Sequence, residues 1–153
     1  KAVEESFVPI SHKIHLLMGS LGYQQFEKEC LIVYRENFFS DFWKYLDEDR
    51  VNSSYRWDKP EVKRFKWELN FGLPDTERVK VVNTIFDLYF DEAEISNSLF
   101  LNWEEVKEIE KEHNFIGGHT HSHADLGSLT NVEQHSEISA CTTLLNQKLK
   151  NHV

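Results

Sequence analysis

The stretch Phe115-Ile116-Gly117-Gly118-His119-Thr120-His121-Ser122-His123 decides how this chain is read. Three histidines at alternate positions follow a glycine pair. Neutral imidazole is the commonest protein ligand for zinc and similar ions. The glycines are expected to let the backbone turn sharply just ahead of the rings. Phe115-Ile116-Gly117-Gly118 has the length and apolarity of a strand rather than a helix. Helical patterns lie on either side. Asn102-Trp103-Glu104-Glu105 begins one that carries Val106 and Ile109 and ends near His113-Asn114. Thr130-Asn131-Val132-Glu133 has the capping-box spacing and begins another, with Ile138, Cys141, Leu145 and Leu149 expected inward. The order from residue 102 onward is therefore helix, strand, loop, helix. In such units the chemistry sits beyond the carboxyl end of the strand, where these histidines lie.

His119 and His123 are four residues apart, so their rings can meet on one side of a helical turn or a tight loop. Bonds of about 2.0–2.1 Å to a shared zinc ion need only modest adjustment from there. His121 is a third ligand, a wall of the site or a solvated bystander. Thr120 and Ser122 are suited to hold the turn through hydrogen bonds to the loop backbone. The plain alternative is a polar loop that takes up metal adventitiously, and spacing alone does not separate the two. His12 and His15, beside Ile14 and Leu16-Leu17, read as helix-face histidines, with metal ligation as the alternative. His113 fits a helix C-terminus, where a cation is favourable. His135 and His152 read as exposed. Asp125 reads as a turn or capping residue more than as a carboxylate ligand. The acidic group Asp87, Asp91, Glu92 and Glu94 reads as a solvated helix end.

Toward the N-terminus, Ser6-Phe7-Val8-Pro9-Ile10 reads as the end of a buried strand stopped by proline. Ser11 is expected to cap a helix carrying Ile14, Leu17, Met18 and Leu21, which ends near Gly22. A second helical pattern runs through Phe26, Cys30, Val33 and Tyr34. Residues 38–57 are expected to hold short helices and a loop. Asp58-Lys59-Pro60-Glu61 has the features of a helix start, with a capping side chain and an early proline. Val62, Phe65 and Leu69 then form a buried stripe up to the break at Gly72-Leu73-Pro74. Asp75 opens a further helix with Val79, Val82, Ile85, Phe86 and Tyr89 on one face.

The bulk numbers fit a globular chain of one domain's size: 153 residues, 40% hydrophobic and 13% aromatic. A net charge of −9 argues against a nucleic-acid backbone as the main partner. Cys30 and Cys141 match no metal-binding or redox pair and read as two buried thiols. No run of about 18 apolar residues exists to span a membrane. No secretory leader is visible at Lys1, which leaves the compartment open with a lean toward the cytoplasm. There is no nucleophile elbow, phosphate loop or dinucleotide fingerprint.

The run from Ile116 to Leu126 resembles the second motif of the NodB-homology polysaccharide deacetylases. In that family a His-[Ser/Thr]-x-x-His segment follows a strand and gives two zinc ligands. His119 and His123 match those positions, Thr120 matches the hydroxyl position, and His121 takes a variable slot. Glu133 and Ser136-Glu137-Ile138 are similar to the helix that follows, although Ala140-Cys141 departs from the usual serine. Phe7-Val8-Pro9 with His12-Lys13-Ile14-His15-Leu16-Leu17, the segment Trp57 to Lys66, and Leu101-Asn102-Trp103-Glu104-Glu105-Val106 resemble a subgroup with a helical insertion. That subgroup tends to be associated with bacterial surface-polysaccharide biosynthesis.

The resemblance implies an α/β fold, here the central portion of an irregular (β/α) barrel of NodB type. Residues 1–153 are then mostly helical with few short strands. About 10–100 form the helical insertion, and 101–153 form the helix, strand, metal loop and helix. It implies a metal-dependent hydrolase that removes acetyl groups, by amide or ester cleavage, from an acetylated oligosaccharide or polysaccharide, with zinc as the expected ion. His119 and His123 are the implied metal ligands. The family's T-F-D-D-G motif, with its base and third ligand, is expected upstream of Lys1. Its R-x-P-Y, D-x-x-D-W and L-x-H segments are expected after Val153. No catalytic residue is then assigned within this chain, and feeble metal binding without turnover is expected of these residues alone. Trp57 or Trp103 is a candidate to line a sugar-facing surface. The apolar helices over 58–100 suit a homodimer surface. The competing readings are a non-catalytic helical binding or assembly module, or a degenerate deacetylase, each with an incidental histidine loop.

Overall fold

The computed structural model describes residues 7–43 and 48–150. The chain divides into two compact units, Ile10–Phe90 in one and Lys1–Pro9 with Asp91–Val153 in the other. Among the described residues every regular element is helical. The helical content agrees with expectation, whereas the expected short strands and any part of a barrel are not found among these residues. None of the described helices is long and apolar enough to cross a membrane.

The first unit holds α1 (Ile10–Leu21), α2 (Tyr23–Phe38), α3 (Glu48–Ser54), α4 (Pro60–Trp67) and α5 (Asp75–Tyr89). In α2 the buried residues are Phe26, Cys30, Val33 and Tyr34, the set that the helical period selects. In α5 they are Val81, Val82, Ile85 and Phe86, while Tyr89 is exposed. Phe65 is the hub of the packing. Its ring meets Phe26 edge-on at 5.5 Å, Phe42 in a stack at 6.2 Å and Tyr23 at 5.9 Å. Two buried polar groups are paired across helices. Lys13 Nζ donates to Asn83 Oδ1 at 2.9 Å and lies 4.8 Å from the Phe86 ring centre, and Tyr34 Oη donates to Glu77 Oε2 at 2.6 Å. Burial pushes the Cys30 thiol up, so it stays protonated and inert.

Two expected caps are displaced. Helix α1 already includes Ile10, so Ser11 lies inside its first turn rather than before it. At α4 the N-cap is Lys59, with no side-chain hydrogen bond, and Pro60 is the first helical residue. Asp58 accepts from Lys66 Nζ at 2.7 Å instead. After Trp67 the helix widens into a π turn over Glu68–Gly72, closed by Leu73 N–H donating to Glu68 O at 3.0 Å. The break at Gly72-Leu73-Pro74 falls where expected.

The second unit holds α6 (Glu92–Leu99), α7 (Trp103–Lys111), a 3₁₀ turn (Leu126–Ser128) and α8 (Asn131–Lys148). The capping box read from sequence at Thr130 with Glu133 is formed, and the helix start at Asn102 closes a second box with Glu105. The acidic group at 91–94 does more than face water. Asp91 caps α6 by accepting from Glu94 N–H, and Glu92 Oε1 accepts from Val8 N–H at 2.9 Å. Val8 is therefore held by a side chain, and none of Phe7, Val8 and Pro9 lies in a strand; Ser6 lies outside the described residues. The expected strand at Phe115 is also absent, and Phe115 is 90% exposed. A strand exists only when a neighbour satisfies its N–H and C=O groups, and no such neighbour is present among the described residues. In α8 the expected inward set is only partly buried. Leu149 just past its end is buried, Cys141 and Leu145 are half-buried, and Ile138 is exposed. Cys141 is thus less covered than expected.

Candidate metal centre

The histidine loop runs from Asn114 to Asp125, between α7 and the 3₁₀ turn that leads to α8. Its ends are fixed by ordinary turn chemistry. His113 takes the left-handed conformation at the end of α7, φ 64°, and its N–H donates to Glu110 O. Asp125 caps the 3₁₀ turn by accepting from Gly127 N–H at 3.0 Å, the turn role rather than the ligand role. Thr130 then caps α8.

The sharp bends are not made by the glycines. Gly117 and Gly118 have no positive φ; Thr120 (φ 64°) and His123 (φ 62°) supply the two left-handed residues. Gly118 serves close packing instead, since a Cβ there would lie 3.0 Å from Cys141 Sγ. Between the two left-handed residues the backbone N–H groups of His121 and Ser122 both donate to Glu137 Oε2, at 2.9 and 2.8 Å. The Ser122 hydroxyl donates to Glu137 Oε1 at 2.8 Å. Partial burial works to raise the Glu137 carboxyl, but the Ser122 and His121 hydrogen bonds and attraction to the His121 ring outweigh it and hold it below the usual carboxylate range.

This fold of the loop brings the His119 and His123 rings to 5.1 Å between centres, inclined at 55°. Both side chains are exposed. Two imidazoles that share a tetrahedral ion through bonds of about 2.0–2.1 Å have ring centres about 5 Å apart. The observed ring separation therefore matches the spacing of two corners of a zinc-like shell. Convergence comes from the two left-handed bends, not from a helical turn. His121 lies apart from that pair in hydrogen bonding. Its Nδ1, like Thr120 Oγ1, is buried without a hydrogen-bond partner among the described residues. Thr120 thus does not tie the turn, whereas Ser122 does.

The other candidate residues are placed elsewhere. His12 and His15 are exposed on α1, and His135 lies on α8 with Nδ1 3.2 Å from Ser139 Oγ; His152 lies outside the described residues. Among the described residues no group of three or more His, Cys, Asp or Glu side chains converges as a metal site. Trp57 is 87% exposed under the Arg56 guanidinium, and Trp103 is half-buried with Lys148 Nζ 5.7 Å from its ring centre. In the sequence Glu137 figures only in the likeness of Ser136-Glu137-Ile138 to the helix after the motif, with no role at the loop. An acidic residue on the helix after the loop, one turn before Cys141, is the signal that points to it.

The model of the polysaccharide deacetylase family matches residues 77–153, half of the chain, with the histidine loop and α8 inside the match. The chain belongs to the polysaccharide deacetylase family. Neither the curated proteins nor the solved structures supply a match. The matched span begins within α5 and covers all of the loop that holds the paired rings.

Proposed function

We propose that the chain carries part of the metal centre of a zinc-dependent carbohydrate deacetylase, with His119 and His123 as two of the ligands. The single observation behind this reading is the 5.1 Å approach of those rings inside the family-matched segment. The substrate class is an acetylated oligosaccharide or polysaccharide, of the kind built into bacterial surfaces, cleaved at an acetamido or acetyl ester bond. The intact fold is the irregular barrel of the NodB type, with this chain contributing its helix-rich central part.

When bound, a zinc ion supplies Lewis acidity toward the acetyl carbonyl and toward a water. The residues of this chain have narrower tasks. His119 and His123 present their imidazole rings from an exposed loop, where a polymer can approach. Two nitrogens are half of a tetrahedral shell, so these residues alone hold the ion weakly. The third ligand and the base that takes the water proton are assigned to residues outside this loop.

Calorimetric titration of the protein with zinc tests the reading. Weak but saturable binding that disappears in His119→Ala and in His123→Ala supports it. Binding unaffected by both substitutions, or no binding by the unaltered protein, rejects it.

A further inference from the structure

We propose that Glu137 is the positioning residue of the His119–His123 pair, its carboxylate fixing the loop backbone so that the two rings are brought together. This rests on the metal reading above and adds a residue to it. Histidines four apart on an extended chain stand about 13 Å from each other along the strand. Here their ring centres are 5.1 Å apart, so the intervening backbone must be held in a tight reversal. The reversal uses left-handed conformations at Thr120 and His123, both unfavourable for residues that carry a Cβ. Such a shape persists only when its surroundings over-determine it.

Glu137 is the group that does so. Two successive N–H groups, from His121 and Ser122, converge on its Oε2 at 2.9 and 2.8 Å, and the Ser122 hydroxyl takes its Oε1 at 2.8 Å. Consecutive amides aimed at one oxygen form a small anion-binding concavity, and a charged acceptor makes each bond stronger than a neutral one. The Thr120 hydroxyl, expected from its position to hold the turn, has no hydrogen-bond partner among the described residues. Glu137 stands on α8 at the spacing of Cys141 and Leu145, one and two turns on. Those two residues are the ones that a Cβ on Gly118 would meet, at 3.0 and 3.5 Å. The loop is therefore seated along one stripe of α8, on apolar contact before His119 and on charge-assisted bonds after it. That stripe explains why α8 mixes an acid with apolar residues on its covered side.

Cobalt, a spectroscopic stand-in for zinc, tests the assignment. The unaltered protein, Glu137→Ala, Glu137→Gln and Ser122→Ala are titrated, with affinity taken from calorimetry and ligand geometry from the visible absorption bands. Glu137→Ala is expected to weaken cobalt binding by about 10- to 100-fold and to alter the band shape. Glu137→Gln, which keeps an oxygen acceptor without the charge, is expected to fall between, and Ser122→Ala to lose less. Helix content and thermal midpoint without metal show which variants are folded; should Glu137→Ala fail to fold, the other two decide. Folded variants that bind cobalt with unaltered affinity and spectrum overturn the assignment, even if they melt earlier. If the unaltered protein binds no cobalt, the metal reading itself falls and takes this role with it. Binding retained in the unaltered protein and lost in His119→Ala, but unchanged in the Glu137 series, rejects the positioning role alone.

Discussion

A methyl group on Gly118 would lie 3.0 Å from Cys141 Sγ, so the loop that carries the histidines rides on α8 closely enough that a side chain there requires the sulfur to give by a few tenths of an ångström. Its neighbour Gly117 faces open space, with nothing within 4 Å of a built Cβ. Neither glycine has a positive φ, so backbone conformation does not separate them.

The two positions predict a contrast. Gly118→Ala is expected to destabilise the protein by about 1–3 kcal/mol through overpacking, and Gly117→Ala to stay within about 0.5 kcal/mol of neutral. Chemical denaturation of both variants measures this. Adding Cys141→Ala to Gly118→Ala should restore part of the loss, because the sulfur is the atom in the way. Equal effects at the two glycines would show that the close seating on α8 is not what Gly118 provides.

The capping box of α8 predicts a local acid sensitivity. Hydrogen bonds from the Thr130 hydroxyl and N–H hold the Glu133 carboxyl below its ordinary value of 4.5, against slight desolvation. A carboxyl depressed in the folded state adds stability above its unfolded pKa and gives it up as pH falls through the lower folded value. Fraying of the first turn of α8 should therefore set in below the ordinary carboxylate range. A carbon-detected NMR titration of Glu133 checks this. Thr130→Ala should move its midpoint back up toward 4.5; an unmoved midpoint would mean that the box contributes nothing.

The same boxes mark what could be read from the residues alone. Asn102 and Thr130 announce their helices because cap and acid lie three residues apart and close a local ring of hydrogen bonds. The buried stripe of α2 is equally local, set by the helical period. Asp58 and Ser11 carry cap chemistry but not cap geometry, since Pro60 fixes where α4 begins and α1 starts one residue before Ser11. Phe115 to Gly118 looks like a strand, yet a strand is a property of two segments and its partner cannot be read from one. At the site, the histidine spacing was legible, but the means of convergence was not. Left-handed backbone at Thr120 and His123 runs against their intrinsic preference, and the group that sustains it, Glu137, acts through space from another element.

In the first unit, Gly72 predicts a different steric cost. A Cβ there would lie 2.6 Å from Glu68 Cδ and 2.7 Å from both carboxylate oxygens. Glu68 is fully buried, so its carboxylate must shift within packed surroundings, and the π turn between the two residues already departs from α geometry. Gly72→Ala is expected to cost about 1–3 kcal/mol, read as a lowered thermal midpoint. Trimming the acid as well, Glu68→Ala with Gly72→Ala, should lose less than the sum of the single changes. Strict additivity would refute contact between them.

Thr120 predicts a gain. A β-branched residue at φ 64° sits where a Cβ is unfavourable, at a cost of order 1–2 kcal/mol. Its buried hydroxyl has no hydrogen-bond partner among the described residues to offset that. Thr120→Gly removes both penalties but frees the unfolded chain, which gives back up to about 1 kcal/mol. The net expectation is a protein as stable as the parent or more stable, by about 1 kcal/mol at most, in denaturant unfolding. Loop freedom moves the other way. Without a side chain at 120 the reversal is less constrained, so zinc affinity should fall even as stability holds. A variant clearly less stable than the parent would show that the Thr120 side chain supports the loop after all.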